Sequence, residues 1–504
     1  MTDLAARRGR VPTWWADGKL GIFVHWGLFS VPGFAPVGED LADLQTSRDP
    51  APFARSPYAE WYQNSLRFPE SPVSVFHHET YGEGTYEDFV EPFVDGLESW
   101  EPERWAELFA STGATHVVFV AKHCDGFCLW PTSVLNPNRT GWHTERDVVG
   151  EMAAAVRARG LRFGLYYSGG LDWTFDASPI GSFGDMLAST PGGGYADYAD
   201  AQVRELIERY EPSVLWNDVS WPAGQSHLVD LLGTYFDRVP DGVVNDRWLT
   251  PVMGSGVLKT RAGRKVVDRL AANALKQGPL VPPKPRFFQY RTPEFAKFPD
   301  ISRTPWECVR GMDRSFGFNR ASVESDFLDR NELLRLVVDV ASKGGSVLLN
   351  IGPRGDGAIP DEQLRRLGWL AERSTAHRAS IRGTRAWVHA QDRSVEGHDV
   401  RFSAHDETVW AHFWRLDAHA LRASTITLPF RANPATTVTD TAGGDLAFTV
   451  NDDSLTIDIP TSVDESVCTI GIHHAVAAND DGVTGASSRP TRRRDRDCHS
   501  GSGS

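Results

Sequence analysis

Residues 146–173, RDVVGEMAAAVRARGLRFGLYYSGGLDW, hold one complete helix-to-strand unit. Apolar residues recur at helical spacing through 147–160, with Asp147 placed to cap the first turn and Gly160 to end the last. LRFGLYYS (161–168) is then apolar on both faces, as a strand buried between two layers must be. The same alternation extends both ways along the chain. Strand-like runs are LGIFVHWG (20–27), THVVFVAKH (115–123), SVLWND (213–218), GVVNDR (242–247), RFFQYR (286–291) and SVLLNIG (346–352). Helical patterns occupy 100–113, 195–210 and 329–344. Short strands separated by amphipathic helices imply a parallel sheet. About seven such repeats with no GxGxxG turn after any strand favour a closed eightfold barrel over an open doubly wound sheet. The expected fold is α/β, a (β/α)8-like TIM barrel over residues 1–380.

The pattern changes near residue 381. TRAWVHAQ, HDVRFSAH, TVWAHFWRL, STITLPF, TTVTDT, LAFTVN, SLTIDIP and VCTIGIHH alternate at period two between turn residues, which predicts an antiparallel β-sandwich over 381–475. Residues 476–504, ending RPTRRRDRDCHSGSGS, read as a disordered, solvated tail rather than an RNA-contacting arm.

Composition narrows the function. A formal net charge of -14 argues against nucleic acid as partner, since binding phosphates needs a basic surface. No apolar run is long enough to span a membrane, and MTDLAARRGRVPTWW has no signal-like stretch behind its basic residues. Five scattered cysteines (Cys124, Cys128, Cys308, Cys468, Cys498) do not form a disulfide framework, so a cytoplasmic protein with reduced thiols is expected. Self-association is left open. Seventeen Trp suit both core packing and stacking on sugar rings.

In a parallel barrel the chemistry gathers at the C-terminal ends of the strands. Six polar residues stand there: His25, His123, Tyr166, Asp218, Arg247 and Glu294. KHCDGFC (122–128) offers His123, Cys124 and Cys128 to a metal, but no second ligand cluster completes a zinc site, and no GxSxG elbow supplies a serine nucleophile. Carboxylates, imidazoles, Arg and aromatics remain, a set suited to glycosidic bond cleavage without a metal or other cofactor. Asp218 closes an apolar strand between Trp216 and Trp221 and is the candidate nucleophile; its alternative role is a helix N-cap. Arg247 would hold that carboxylate by charge-assisted hydrogen bonding. A retaining mechanism needs a second carboxyl about 5 to 5.5 Å away. Glu294 is preferred, with Glu307 and then Glu60 as rivals.

WWADGKLGIFVHWGLFSVPGFAP, SPYAEWYQNSLR, AKHCDGFCLW, the 146–173 stretch, VLWNDVSWP, VNDRW, RSFGFNR and SKGGSVLLNIGPRGDGAIP closely resemble the family 29 α-L-fucosidases over most of residues 12–375. The resemblance implies a barrel followed by a β-sandwich and hydrolysis of terminal α-L-fucosides with retention and no metal. It carries the nucleophile to Asp218 and the acid/base to Glu294. The substrate-binding positions fall on His25, Glu60, Trp61, His123, Tyr166, Trp216, Arg247 and Phe316. Two departures stand out. Cys124 follows His123 where the family commonly has a second histidine, which removes an imidazole donor and would weaken or retune sugar recognition. An insertion over 251–285 precedes Glu294 and would shape the leaving-group side. Related L- or 6-deoxy sugars, fucosyl transfer to an acceptor, a non-catalytic sugar-binding protein and a metal-dependent hydrolase are the competing readings.

Overall fold

The structure is a computed structural model that describes residues 4–477 apart from 48, 50, 252–254, 278–282, 415–424 and 460–466. Seven parallel strands form its first sheet: β1 (Leu20–Val24), β2 (His116–Lys122), β3 (Arg162–Ser168), β4 (Val214–Asp218), β5 (Val243–Val244), β6 (Trp306–Gly311) and β7 (Gly345–Ile351). Their spatial order is β5-β4-β3-β2-β1-β7-β6. The gap between β5 and β6 is bridged by residues 289–295. The Gln289 N–H donates to the Val244 carbonyl at 3.3 Å, while Glu307 donates to Arg291 at 2.8 Å and Phe295 to Val309 at 2.9 Å. An irregular eighth stave thus completes the ring.

That stave differs from the regular strand expected at 286–291. Pro293 lacks a donor, and Phe295 takes a left-handed φ of 48°, so a continuous ladder cannot form there. The regular strand lies instead at β6, whose WECVRG sequence hides a buried strand behind Glu307 and Arg310.

Period-two alternation sorts the side chains. Phe23, Val118, Val120, Tyr166, Val214, Trp216, Val243, Tyr290, Val309 and Leu348 point inward and pack as one cluster. Their neighbours Ile22, Val24, Val117, Phe119, Phe163, Leu165, Leu215, Val347 and Leu349 point outward into the larger core beneath the helices. The helices follow the capping signals: Asp147 accepts from the Gly150 N–H at the start of Val148–Ala158, and Asp329 and Glu332 form a reciprocal box at the start of Arg330–Ser342.

The C-terminal region contains β8 (Arg385–Arg393), β9 (Asp399–His405), β10 (Thr408–Phe413), β11 (Thr425–Leu428), β12 (Phe430–Arg431), β13 (Thr437–Asp440), β14 (Phe448–Asn451), β15 (Ser454–Asp458), β16 (Cys468–His473) and β17 (Val476–Ala477). A five-stranded sheet, β13-β16-β10-β9-β8, and a three-stranded one, β11-β15-β14, share one core that includes Phe402, Phe413, Ile426, Leu455, Ile457 and Ile470. Val476–Ala477 pairs with Phe430–Arg431, so the first two residues assigned to a disordered tail belong to a ladder instead. The rest of that stretch, 478–504, lies outside the described residues. Cys124, Cys128, Cys308 and Cys468 are buried and form no disulfide among the described residues, and Cys498 is outside the described residues. Among the described residues no helix is long and apolar enough to cross a membrane.

One buried carboxylate ties barrel to sandwich. Asp339, on helix Arg330–Ser342, accepts from Arg401 of β9 at 2.6 Å and pairs with Lys343 and Lys297 at 3.0 Å each. Burial pushes this carboxyl up, but the Arg401 hydrogen bond and the Lys297 and Lys343 charges outweigh it and bring its pKa to about 2. A depressed pKa contributes stability above the unfolded value of about 3.9 and loses it as pH falls towards 2. Asp339→Asn should therefore destabilise the protein by about 3 kcal/mol at pH 7. In denaturant titrations the gap from wild type should shrink at pH 3; an equal gap at both pH values would contradict this account.

Candidate active site

Asp218 is the last residue of β4, at the C-terminal mouth of the barrel. Val219 after it has φ 64°, a conformation that a β-branched residue adopts only under constraint, and its N–H turns back to donate to Asp218 Oδ1 at 2.7 Å. Tyr166, on β3, donates its hydroxyl to Oδ2 at 2.8 Å. Arg247, just past β5, reaches Oδ1 at 3.1 Å. Three donors thus converge on one carboxylate.

The other terminal nitrogen of Arg247 donates to Glu294 Oε1 at 2.6 Å. One planar guanidinium therefore holds both candidate acids, and its face lies over Trp216, 5.1 Å from the ring centre. Arg247 is itself fixed from behind. Its Nε donates to Thr292 Oγ1 at 3.1 Å, and that hydroxyl donates to Asp246 Oδ1 at 2.6 Å. Asp246, fully buried, also pairs with Arg291 at 2.5 Å. Phe295, directly after Glu294, shares the left-handed conformation seen after Asp218. Each acid is thus presented by a strained turn.

Burial raises the pKa of Glu294; Arg247 pulls it down, the Asp218 charge pushes it up, and the net shift is upward. Glu60 is buried and raised to about 8, by burial first, against the hydrogen bond it accepts from the Gly317 N–H at 2.7 Å. At neutral pH it carries a proton.

Imidazoles and rings wall the cavity. The Asn350 amide group donates to the Phe316 carbonyl, which turns its Oδ1 to His25 Nδ1 at 2.6 Å. His25 Nδ1 therefore carries the proton and Nε2 is a bare acceptor. Burial lowers the His25 pKa to about 4, so the ring is neutral at pH 7. His123 stacks on Tyr166 at 5.6 Å and 10°, and burial pushes its pKa well below the usual histidine range. His123 Nδ1 and Trp216 Nε1 are buried and have no hydrogen-bond partner among the described residues. Phe316 packs against His25, Tyr58 and Phe295.

Trp61 and Cys124 stand on the flank, in a cluster with Phe53, Leu171 and Trp173. Ser168 spends its hydroxyl hydrogen on the Leu171 carbonyl at 2.8 Å, so the Cys124 thiol is the donor in their 3.3 Å contact. Its hydrogen points to Ser168. Cys128 receives the Gln202 amide instead, and among the described residues no group of three or more His, Cys, Asp or Glu is arranged around a metal position. The rival acid Glu307 is elsewhere: it lies near the N-terminal start of β6, 3.3 Å from His116 at the start of β2.

His25, Glu60, His123, Tyr166, Trp216, Asp218, Arg247, Glu294 and Phe316 thus gather around one barrel mouth, with Trp61 and Cys124 on its flank and Glu307 apart from them. Reading the sequence missed Asn350, Asp246 and Thr292. Asn350 is a polar residue near the end of an apolar strand, the criterion that found His25, and the other two sit beside Arg247 and Glu294 in sequence.

The chain resembles known proteins along most of its length. The family model described as alpha-L-fucosidase matches residues 2–372. The chain is 30% identical over 445 residues to an alpha-L-fucosidase of Branchiostoma floridae, covering 85% of this chain and 84% of that protein. It is 29% identical to the tissue alpha-L-fucosidase of Rattus norvegicus, covering 80% and 76%. The crystal structure of Thermotoga maritima alpha-fucosidase with a mechanism-based inhibitor superposes with a TM-score of 0.77 at 35% identity, covering 93% of this chain and 98% of that one.

The shared guanidinium makes a prediction about charge. Asp218→Asn removes the neighbouring negative charge and should lower the Glu294 pKa; Arg247→Gln removes the cation and should raise it. Carboxyl carbon NMR of labelled glutamate reads both shifts, and movement in the same direction in the two variants would refute the shared-cation geometry.

Proposed function

Since this chain belongs to the alpha-L-fucosidase family and is a glycoside hydrolase, we propose that it releases terminal α-L-fucose by double displacement, with Asp218 as nucleophile and Glu294 as acid/base. The observation that carries this reading is the single Arg247 guanidinium bonded to both carboxylates, one of which is an acceptor on both oxygens while the other has a raised pKa. Two acids whose surroundings divide them in this way suit opposite roles.

Asp218 Oδ2 carries one hydrogen bond and Oδ1 carries two, so Oδ2 is the oxygen free to attack the anomeric carbon. As the glycosidic bond breaks, Glu294 gives its proton to the leaving oxygen. The alcohol departs, and a fucosyl ester remains on Asp218. Formation of the ester removes the negative charge that helps raise the Glu294 pKa, so the acid that has just lost its proton becomes a better-sustained carboxylate. It takes a proton from water, the resulting hydroxide attacks the anomeric carbon, and Asp218 is released. Two inversions retain the configuration. Tyr166 and Arg247 orient the nucleophile throughout.

His25 Nε2, His123 Nδ1, Trp216 Nε1 and the protonated Glu60 offer unspent acceptors and donors to sugar hydroxyls. A buried polar group without a partner costs about 1–3 kcal/mol, a cost that a bound sugar would relieve. Phe316 and Trp61 offer apolar surface for the ring face and the methyl group. The buried thiols Cys124, Cys128 and Cys308, which form no disulfide among the described residues, support a reducing, cytoplasmic setting.

Azide tests the two roles separately. With Glu294→Ala, turnover of fucosides with poor leaving groups should fall by about a thousandfold. Azide should then intercept the ester and give α-L-fucosyl azide. With Asp218→Gly, azide should enter in place of the carboxylate and give the β anomer. The same anomer from both variants, or the reverse pairing, would overturn the assignment.

A further inference from the structure

The insertion expected at 251–285 contributes helix Arg261–Gln277. In sequence it is inserted between Arg247 and Glu294, the two residues joined in the site. It packs on helix Phe183–Ala188, which follows β3, and on Leu41–Thr46, which follows β1. Gly184 permits this close approach: a Cβ there would meet the Arg264 carbonyl oxygen at 2.4 Å. Phe183 and Met186 pack in the cluster that contains Trp61, Cys124 and Val219, the residue beside Asp218. Helix Phe183–Ala188 thus lies between the inserted helix and the nucleophile's own turn, in contact with both.

The charge on this segment is opposite to that of the whole chain. Residues 251–285 carry seven Lys and Arg and one acid, Asp268, in a protein of net charge -14. Asp268 is turned inward and accepts from the Gly184 N–H at 2.7 Å, and Arg264 reaches Asp185 at 3.1 Å. The outer face keeps Arg261, Lys265, Arg269 and Lys276, all exposed and forming no ion pair among the described residues. Many arginines elsewhere on this surface are paired, among them Arg55, Arg104, Arg162, Arg204 and Arg238. Spacing of four residues puts Arg261, Lys265 and Arg269 in one row, with Val266 and Leu270 exposed beside it. An unneutralised cationic row on an acidic protein, carried by a segment inserted between Arg247 and Glu294, matches an anion that arrives on that side of the barrel.

We infer that helix Arg261–Gln277 is a leaving-group subsite for acidic glycans, attracting fucosides whose aglycone carries carboxylate or sulfate groups. The inference rests on the fucosidase reading of the same site and concerns only what lies beyond the scissile bond. An aryl fucoside has no such group and is indifferent to the helix.

The test compares kcat/KM for matched fucosylated oligosaccharides: a neutral parent, its uronic acid form and its O-sulfated form, alongside nitrophenyl α-L-fucoside. At low salt the wild-type enzyme should favour the acidic forms by about tenfold, and the advantage should vanish near 0.5 M NaCl, where the Debye length shrinks to about 4 Å. The triple variant Arg261→Glu, Lys265→Glu, Arg269→Glu should reverse the preference while turning over the nitrophenyl fucoside at the wild-type rate, which also reports intact folding. The two acidic arms show whether carboxylate or sulfate is the better ligand. Equal rates on acidic and neutral forms overturn the inference. So does a preference that survives charge reversal, or a variant whose only change is loss of self-association in sedimentation, which would assign the helix to a second copy of the chain. No hydrolysis of nitrophenyl α-L-fucoside by the wild type would instead sink the fucosidase reading.

Discussion

The site turns on one guanidinium that has to serve two carboxylates. Arg247 cannot lose its charge, and its planar fork has a fixed geometry. Placing Asp218 on one terminal nitrogen and Glu294 on the other sets the spacing and orientation of both acids at once. The surrounding structure keeps that fork from turning: Thr292 and Asp246 grip it from behind, and Trp216 lies against its face. The strained residues Val219 and Phe295 aim each acid from the end of its stave. Backbone strain of this kind persists only where packing over-determines it, and here the packing is the barrel wall.

The barrel contributes more than a frame. Its inward layer is aromatic towards the mouth, where Phe23, Tyr166 and Trp216 stack on one another and on His25 and His123. These rings exclude water from one side of the cavity, and that burial drives the shifts at His25, Glu60 and Glu294. Neutral imidazoles and a protonated Glu60 result, a lining suited to hydroxyl groups rather than to an ion. Cationic charge without an ion-pair partner among the described residues lies outside this lining, on the helix inserted between Arg247 and Glu294. The proposed recognition of the sugar and the inferred attraction of what it is attached to thus fall to different parts of the molecule, the cavity and the inserted helix.

Much of this was legible in the sequence because burial on both faces leaves an unmistakable mark. The apolar runs ending in His25, His123, Tyr166 and Asp218 mark β1 to β4, and the polar residue at or near each end marks the mouth. The eighth stave was harder. RFFQYR looks like a strand, but Pro293 and the turn at Phe295 break its ladder, while true β6 carries a buried Glu307 that reads as a catalytic rival. Its partner, His116, comes from a strand nearly 200 residues earlier, and no local pattern reveals such a pair. The network behind Arg247 escaped for the same reason: Asp246 and Thr292 meet only because β5 and the irregular stave lie side by side.

The most direct measurement is covalent. Incubation with 2-deoxy-2-fluoro-α-L-fucosyl fluoride should stall the reaction after the first displacement, because fluorine beside the anomeric centre slows hydrolysis of the ester. Peptide mass spectrometry should then find one fluorofucosyl group per chain, on Asp218 within VLWNDVSWP. A label on Glu294 or Glu60, or full turnover of the sugar with no ester at any carboxylate, would contradict the account.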